Sequence, residues 1–338
     1  MGHADTAAPD MVPPTLFLSD DDVAVLADWR DAVDALHQAY SGLVDPAMVP
    51  PRSMARGQNL WLRGLSAVSP SGRHMGCKLI AASMAAKRAS YLISLFDQKT
   101  MALSALIDGN RITGIRTAAA AVVAVNAAAP ARPLRIGVIG AGFEAQGLVA
   151  ALAAVREIAE LRVFSPTPTS RDRFAALCRE RHGLVARAVP LAPEAVDGAD
   201  VVLCAARSRD ESPVLRGAWL APGMTVVSIG STLPEQREVD EQVIARAAVI
   251  VADMPDEVAH DTGDMLAATR AGIDFRAKLV SLSDLLAGRA TRPAEGIVLY
   301  KSVGSALQDV ITAEMLLARA QARGIGSVLA RSIVPVAK

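Results

Sequence analysis

Two groups of residues in this 338-residue chain have the types and spacing to do chemistry. The first is a glycine turn, Gly140-Ala141-Gly142-Phe143-Glu144-Ala145, which follows the apolar run Leu134 to Ile139 and opens a segment rich in Ala, Leu and Val. Gly140 permits a tight turn, and Gly142 has no Cβ to keep the backbone from a pyrophosphate. Ala145 is small enough for the new helix to lie close on the strand. The free N–H groups and positive dipole end of that helix, around Phe143 and Glu144, would face phosphates. The chemistry implied is dinucleotide binding, and strand, turn, helix and a second strand at Leu161–Phe164 agree in order.

The second group is cationic. Lys78 lies within the apolar strand Gly76-Cys77-Lys78-Leu79-Ile80, where an ammonium is costly unless a carboxylate partners it or the strand end faces a cleft. Arg116 and Thr117 precede the Ala-rich segment 118–129. At a helix start they would offer a guanidinium, a hydroxyl and free N–H groups to a carboxylate or phosphate, the plainer alternative being an N-cap with a surface arginine. Arg52 follows Pro50-Pro51 and is either a solvated charge or pointed at an anion. Tyr300-Lys301 is expected to lead into a long C-terminal helix running through Arg319, on which Asp309 either orients substrate or cofactor or lies on the helix surface.

These residues need elements to hold them. Leu16-Phe17-Leu18 reads as a short strand running into the N-cap Ser19, and Asp28 to Tyr40 carries helical spacing. From Trp61 to Asp108, short apolar strands broken by turns predict an antiparallel or mixed sheet. After the glycine turn, strands at 161–164, 185–189, 201–205, 225–229 and 249–252 alternate with helical patterns, as in a parallel doubly wound sheet. The expected fold class is therefore α/β, a Rossmann-type doubly wound parallel sheet plus an α+β substrate and dimerisation domain. Residues 1–15 are expected as a flexible tail, 16–115 with 305–338 as the substrate-binding and dimerisation domain, and 116–304 as the dinucleotide-binding domain.

Ligands of such sheets lie beyond the strand C-termini. The loops Ser165-Pro166-Thr167, Ala206-Arg207-Ser208 and Gly230-Ser231-Thr232-Leu233-Pro234 are thus expected to line the crevice, together with Ile229 at the end of its strand. A carboxylate ending the second strand would take both ribose hydroxyls and repel a 2′-phosphate, but Ser165 stands there, with Thr167 and Arg171 near. That loop favours NADP(H) over NAD(H).

Composition sets bounds. Net charge is zero with no basic block, so nucleic acid is not the expected partner, and no apolar run reaches membrane-spanning length without charges or glycines. Cys77, Cys178 and Cys204 are far apart and suit a reduced compartment. Met1 to Pro14 lacks a cationic stretch followed by an apolar core, so a cytoplasmic protein without a signal peptide is expected. The five histidines are dispersed, and no metal site is expected.

The ordered set Gly76-Cys77-Lys78, Leu95-Phe96-Asp97, Ile112 to Ala119, Gly140-Ala141-Gly142, Ile229-Gly230-Ser231 through Asp240, Thr262-Gly263-Asp264 and Lys301-Ser302-Val303-Gly304 through Gln308-Asp309 resembles the ornithine cyclodeaminase and mu-crystallin family, from about Leu16 to Leu329. The resemblance implies a nicotinamide-dependent reaction at the Cα of an amino or imino acid, in a homodimer joined through the substrate domain. It assigns Arg52, Lys78 and Arg116 to the substrate carboxylate and its activation, and brings Lys301 among the cofactor contacts.

Two departures from the family pattern bear on the reaction. Cyclodeaminases resemble one another in an aspartate within the Gly-rich loop before the proline, whereas Ser231, Thr232 and Leu233 stand here, and a hydroxyl is a poor base at neutral pH. Lys87-Arg88-Ala89-Ser90 is more similar to the diaminopropionate-biosynthesis dehydrogenase branch, and Arg88 is either a contact for a second substrate carboxylate or a surface charge. The expected activity is imine reduction or amino-acid oxidation, by hydride transfer between the nicotinamide and Cα, as in a ketimine reductase or an N-substituted amino acid dehydrogenase. Ornithine or lysine cyclodeamination and a non-catalytic NADPH- and small-ligand-binding role are the alternatives.

Overall fold

The computed structural model describes residues 14–42, 44–293 and 295–336. The chain first forms β1 (Leu16–Leu18), α1 (Asp20–Leu26), α2 (Trp29–Ser41), β2 (Ser53–Gly57), β3 (Leu60–Val68), β4 (His74–Ser83), β5 (Arg88–Asp97), β6 (Leu103–Asp108) and the long α3 (Asn110–Ala128). There follow β7 (Leu134–Ile139), α4 (Phe143–Val155), β8 (Ile158–Phe164), α5 (Pro168–His182), β9 (Ala186–Ala188), α6 (Ala192–Val196), β10 (Val201–Cys204), β11 (Thr225–Ser228), α7 (Glu241–Arg246), β12 (Ala247–Ala252), α8 (Pro255–Asp261), α9 (Gly263–Arg270), β13 (Leu279–Ser281), α10 (Leu282–Leu286) and β14 (Ile297–Lys301). Finally α11 (Ala306–Arg323) and β15 (Ser327–Val328) return to the first lobe, where β15 pairs with β1.

Two sheets result. The first is seven-stranded in the order β15-β1-β6-β5-β4-β3-β2, antiparallel from β2 to β6 with β1 parallel to β6. The second is eight-stranded and parallel in the order β13-β12-β14-β11-β10-β7-β8-β9. From β7 the chain moves one way to β8 and β9, then starts again on the other side at β10. The switch point, where a crevice opens beyond the strand ends, therefore lies between β7 and β10.

Local sequence explains the helix ends. Ser19 and Asp22 form a reciprocal capping box at α1, Asp28 accepts from the Asp31 N–H at α2, and α11 stops at Gly324 in the left-handed region. Helix α3 has no exposed residue from Ile112 to Val125, where it packs against α2, α11, α4 and the parallel sheet. Ala118 to Ala121 keep its girth small enough to be surrounded, which is why the segment reads as apolar without a polar face.

Several expectations need correction. Helix α3 starts at Asn110, with Gly109 as its N-cap residue and the Asp108 carboxylate accepting from the Asn110 N–H. Arg116 and Thr117 are therefore in the second turn, their N–H groups are spent inside the helix, and only their side chains are free to bind. Tyr300-Lys301, expected to lead into the last helix, end the interior strand β14; α11 begins at Ala306, capped by Ser305. The short run Ile297 to Lys301 was hard to tell from a helix entry because a fully buried strand shows no alternation. Within the expected tail, residues 1–13 lie outside the described residues. Thr15 is fully buried, its hydroxyl donating to Leu103 O at 2.6 Å. Among the described residues no helix is long and apolar enough to cross a membrane, and no group of three or more His, Cys, Asp or Glu is placed to hold a metal ion.

Candidate active site

The period-2 alternation of β3, β4 and β5 aims Trp61, Arg63, Leu65, Lys78, Ile80 and Tyr91 at one face, and that face looks across the crevice at the C-terminal ends of the parallel strands. Between them lies a cavity of about 360 Å³. Lys78 sits at the middle of β4, directly opposite Leu65 on β3 and Ile93 on β5. Its ammonium donates to Asp309 Oδ1 at 2.9 Å and to Thr113 Oγ1 at 2.6 Å. The Lys78 and Asp309 side chains are each 1% exposed.

Asp309 comes from the first turn of α11, Thr113 and Arg116 from α3, one turn apart on that helix. The Arg116 Nε stands 3.3 Å from the same Asp309 oxygen, and its Nη1 donates to Gln308 Oε1 at 2.9 Å. Gln308 in turn donates to Asp253 Oδ2 at 3.1 Å. Asp253 also accepts from the Ser302 hydroxyl and from the Val303 and Gly304 N–H groups, which fixes the loop after β14. A Cβ on Gly304 would come within 2.4 Å of the Arg116 guanidinium, so the bare backbone there lets Arg116 lie flat on the loop.

Arg52 closes the far side. Its Nε pairs with Glu257 at 2.8 Å and its Nη2 donates to Thr232 O at 3.3 Å, leaving Nη1 buried and without a hydrogen-bond partner. Burial pushes the Lys78 ammonium below the ordinary lysine value, against the opposing pull of Asp309. Burial also pushes the Glu144 carboxyl up, with Arg116 and then Lys78 pulling it back. Lys78 and Arg116 share one carboxylate and Arg52 has its own, so the cluster keeps a surplus positive charge suited to an acid.

On the opposite wall the structure fits a dinucleotide. Gly140 has φ +112°, and a Cβ there would stand 2.6 Å from Ala205 O, at the end of the neighbouring strand β10 across the switch point. Helix α4 starts at Phe143 with no side chain capping its N–H groups, and the space where a Gly142 Cβ would go is open. Uncapped donors facing open space at a helix N-terminus suit a diphosphate. Glu238 holds the two loops beside it. Its buried carboxylate accepts from Ala206 N at 3.0 Å, Gly230 N at 2.8 Å and Ser228 Oγ at 2.6 Å, tying the ends of β10 and β11 together.

Of the residues singled out in the sequence, Arg52, Lys78, Arg116, Thr117, Glu144, Ala206, Ile229, Gly230 and Asp309 line the cavity, and Gly140, Gly142 and Phe143 form the adjoining turn. Ala145 is buried beneath it. Ser165 and Thr167 sit between β8 and α5, where Arg171 Nη1 donates to Ser165 O at 3.1 Å. Three expected contacts are elsewhere. Ser231 is fully buried with its hydroxyl on Gln236 O, because the loop turns Thr232 toward the cavity instead. Lys301 is fully buried in an ion pair with Asp264 at 2.9 Å and braces Ser228 from behind. Arg88 begins β5 at the outer hairpin end, exposed and away from this cavity.

The sequence left the acidic partners of the three cations unidentified. Each has an acidic partner close by, supplied by α8 and α11, and distance along the chain hid those pairings. Arg63 was missed altogether. The alternation Trp61-x-Arg63-x-Leu65, in phase with Lys78, is the signal that would have found it.

The chain resembles known proteins along most of its length. The model of the ornithine cyclodeaminase/mu-crystallin family matches residues 20–324. A Delta(1)-pyrroline-2-carboxylate reductase of Bacillus cereus is 30% identical over 285 residues, 83% of each chain. The structure of Thermococcus litoralis Delta(1)-pyrroline-2-carboxylate reductase in complex with NADH and L-proline superposes with TM-score 0.84 at 25% identity, covering 93% of this chain and 100% of that one. An archaeal alanine dehydrogenase dimer with bound NAD also gives TM-score 0.84 at 25% identity, covering 94% and 99%.

Proposed function

The chain belongs to the ornithine cyclodeaminase/mu-crystallin family, and from that premise we propose that it is a nicotinamide-dependent oxidoreductase that reduces the C=N bond of an α-imino acid to the amino acid. The observation that carries this reading is the buried Lys78–Asp309–Arg116 cluster facing the glycine turn across one cavity. When bound, the reduced nicotinamide supplies a hydride to Cα, the imine nitrogen takes up a proton, and amine and oxidised cofactor result.

The chain's own residues do the rest. Lys78, Arg116 and the free Nη1 of Arg52 hold the α-carboxylate, while Asp309 and Thr113 keep the Lys78 ammonium in one place. Fixing the acceptor in this closed site is the main source of acceleration expected. The Gly-rich loop works against cyclodeamination. The Thr232 N–H and hydroxyl are both committed to the Gln236 side-chain oxygen, and positions 231–233 carry no carboxylate to act as a base.

For the cofactor, the half-buried Arg171 and the absence of an acid at Ser165 support NADP(H) over NAD(H). For assembly, the outer face of the first sheet supports a homodimer. Leu62, Leu79 and Leu92 point away from Lys78, and Leu79, which lies opposite Leu92, is 39% exposed. The test is a rate assay following consumption of reduced cofactor with pyrroline-2-carboxylate, piperideine-2-carboxylate and open-chain imines made from 2-oxo acids and ammonia. Cofactor-dependent turnover of at least one of them is expected. Ammonia release from ornithine without net cofactor use, or tight cofactor binding with no turnover across the panel, would overturn the reading.

A further inference from the structure

Arg63 has no role in the chemistry described so far. It sits on β3 two residues from Leu65, the direct partner of Lys78, so the two cations are diagonal neighbours on one face, within reach of long side chains. Both line the cavity. The guanidinium lies 5.1 Å from the centre of the Trp61 ring. Among the described residues no carboxylate stands within ion-pair distance of it, and its buried Nε has no hydrogen-bond partner. The pairing register also brings Arg52 near, since Met54 lies opposite Arg63 and Arg52 is two residues further along.

The charges decide what is missing. Lys78 and Arg116 face one carboxylate in Asp309 and keep one positive charge in surplus, whereas Arg52 is balanced by Glu257. Arg63 adds a second surplus charge. Glu144 is the other acid on the lining, and burial pushes it toward its neutral form. The α-carboxylate of an imino acid can answer only the first of these charges. A guanidinium held beside a second guanidinium, stacked on an indole and given no protein anion, suits a ligand that brings its own.

We propose that Arg63 is a specificity-determining residue that binds a second carboxylate, on the side chain of the substrate, so that the imino acid reduced is a dicarboxylic one. The inference deepens the reductase reading and rests on it. Its substrate class is the imine of a 2-oxo diacid. The guanidinium over the Trp61 ring meets the side-chain carboxylate, while the α-carboxylate stays with Lys78, Arg116 and the Nη1 of Arg52.

The test compares full-length wild type, Arg63→Gln and Arg63→Lys on two imines formed with ammonia: that of 2-oxoglutarate and that of 2-oxovalerate, of equal chain length without the second acid. Calorimetric binding of 2-oxoglutarate and of 2-oxovalerate to the enzyme saturated with oxidised cofactor is measured in parallel. Wild type should favour the diacid in kcat/KM by about tenfold or more, the worth of one hydrogen-bonded charge. Arg63→Gln should lower that ratio by a similar factor, mainly through KM, and Arg63→Lys should restore part of it. A wild-type preference for the monoacid, or an equal loss on both imines in Arg63→Gln, overturns the proposal. If no imine is turned over, the reductase reading fails. The calorimetric preference for the diacid, and its loss in Arg63→Gln, then decides the second anion subsite separately.

Discussion

Replacing Lys78 by methionine separates its chemical role from its structural one. Methionine keeps the length and apolar stem of lysine but removes the ammonium that donates to Asp309 and Thr113. Breaking a buried ion pair by removing one partner costs about 3–5 kcal/mol when it strands the other charge. Two features of this site reduce that figure. Arg116 remains 3.3 Å from Asp309, so the carboxylate is not left alone. Burial also holds the Lys78 pKa below its ordinary value, which means that desolvation outweighs the attraction of its partners, and deleting the charge returns part of that cost. The net loss should be about 1–2 kcal/mol, a fall of roughly 2–4 °C in Tm at about 2 °C per kcal/mol for a chain of this length. Catalysis should suffer far more, because the ammonium helps fix the acceptor through its α-carboxylate and a misplaced acceptor costs about 100-fold. Scanning calorimetry gives the first quantity and steady-state oxidation of the reduced cofactor the second. Activity within about threefold of wild type, in a variant that still melts cooperatively, would refute the assignment of Lys78.

Three further outcomes follow from the same geometry. As pH rises through the raised pKa of Glu144, its carboxyl ionises in the first turn of α4, where the proposed cofactor's diphosphate would lie; KM for the cofactor should therefore climb with pH in wild type and climb less in Glu144→Gln, and parallel profiles would contradict this. Arg171→Ala should lower the ratio of kcat/KM for NADPH to that for NADH by about tenfold, the loss of one charged contact, and an unchanged ratio would remove Arg171 from cofactor choice. Leu79→Asp places a charge on the outer face of the first sheet and should convert a dimer to a monomer in light scattering; an unaltered mass would move the interface elsewhere.

Much of the second lobe was legible because its signals are local. A glycine turn after an apolar strand specifies its own backbone, and Gly140 would need its positive φ in any fold that used it. The alternation of strands and helices after it implied the parallel sheet. Strand β14 escaped because interior strands carry no period, and the start of α3 escaped because Asn110, Ile112 and Thr113 in its first turn are weak helix formers and its N-cap residue is Gly109, the polar side chain coming from Asp108 one position earlier.

The cations themselves were also visible, since an ammonium amid Cys77, Leu79 and Ile80 is anomalous wherever it lies. Their partners were not. Asp309 is 231 residues from Lys78 and Glu257 is 205 from Arg52, and nothing in a linear pattern marks one carboxylate as the mate of one distant base. Short-range spacing thus pointed to a dinucleotide turn, and the residue types to cations suited to an acid. Only the return of α11 across the first sheet, and the register that sets Arg63 beside Lys78, decided how many charges remain unanswered in the cavity, because electrostatic balance depends on distances that folding alone creates.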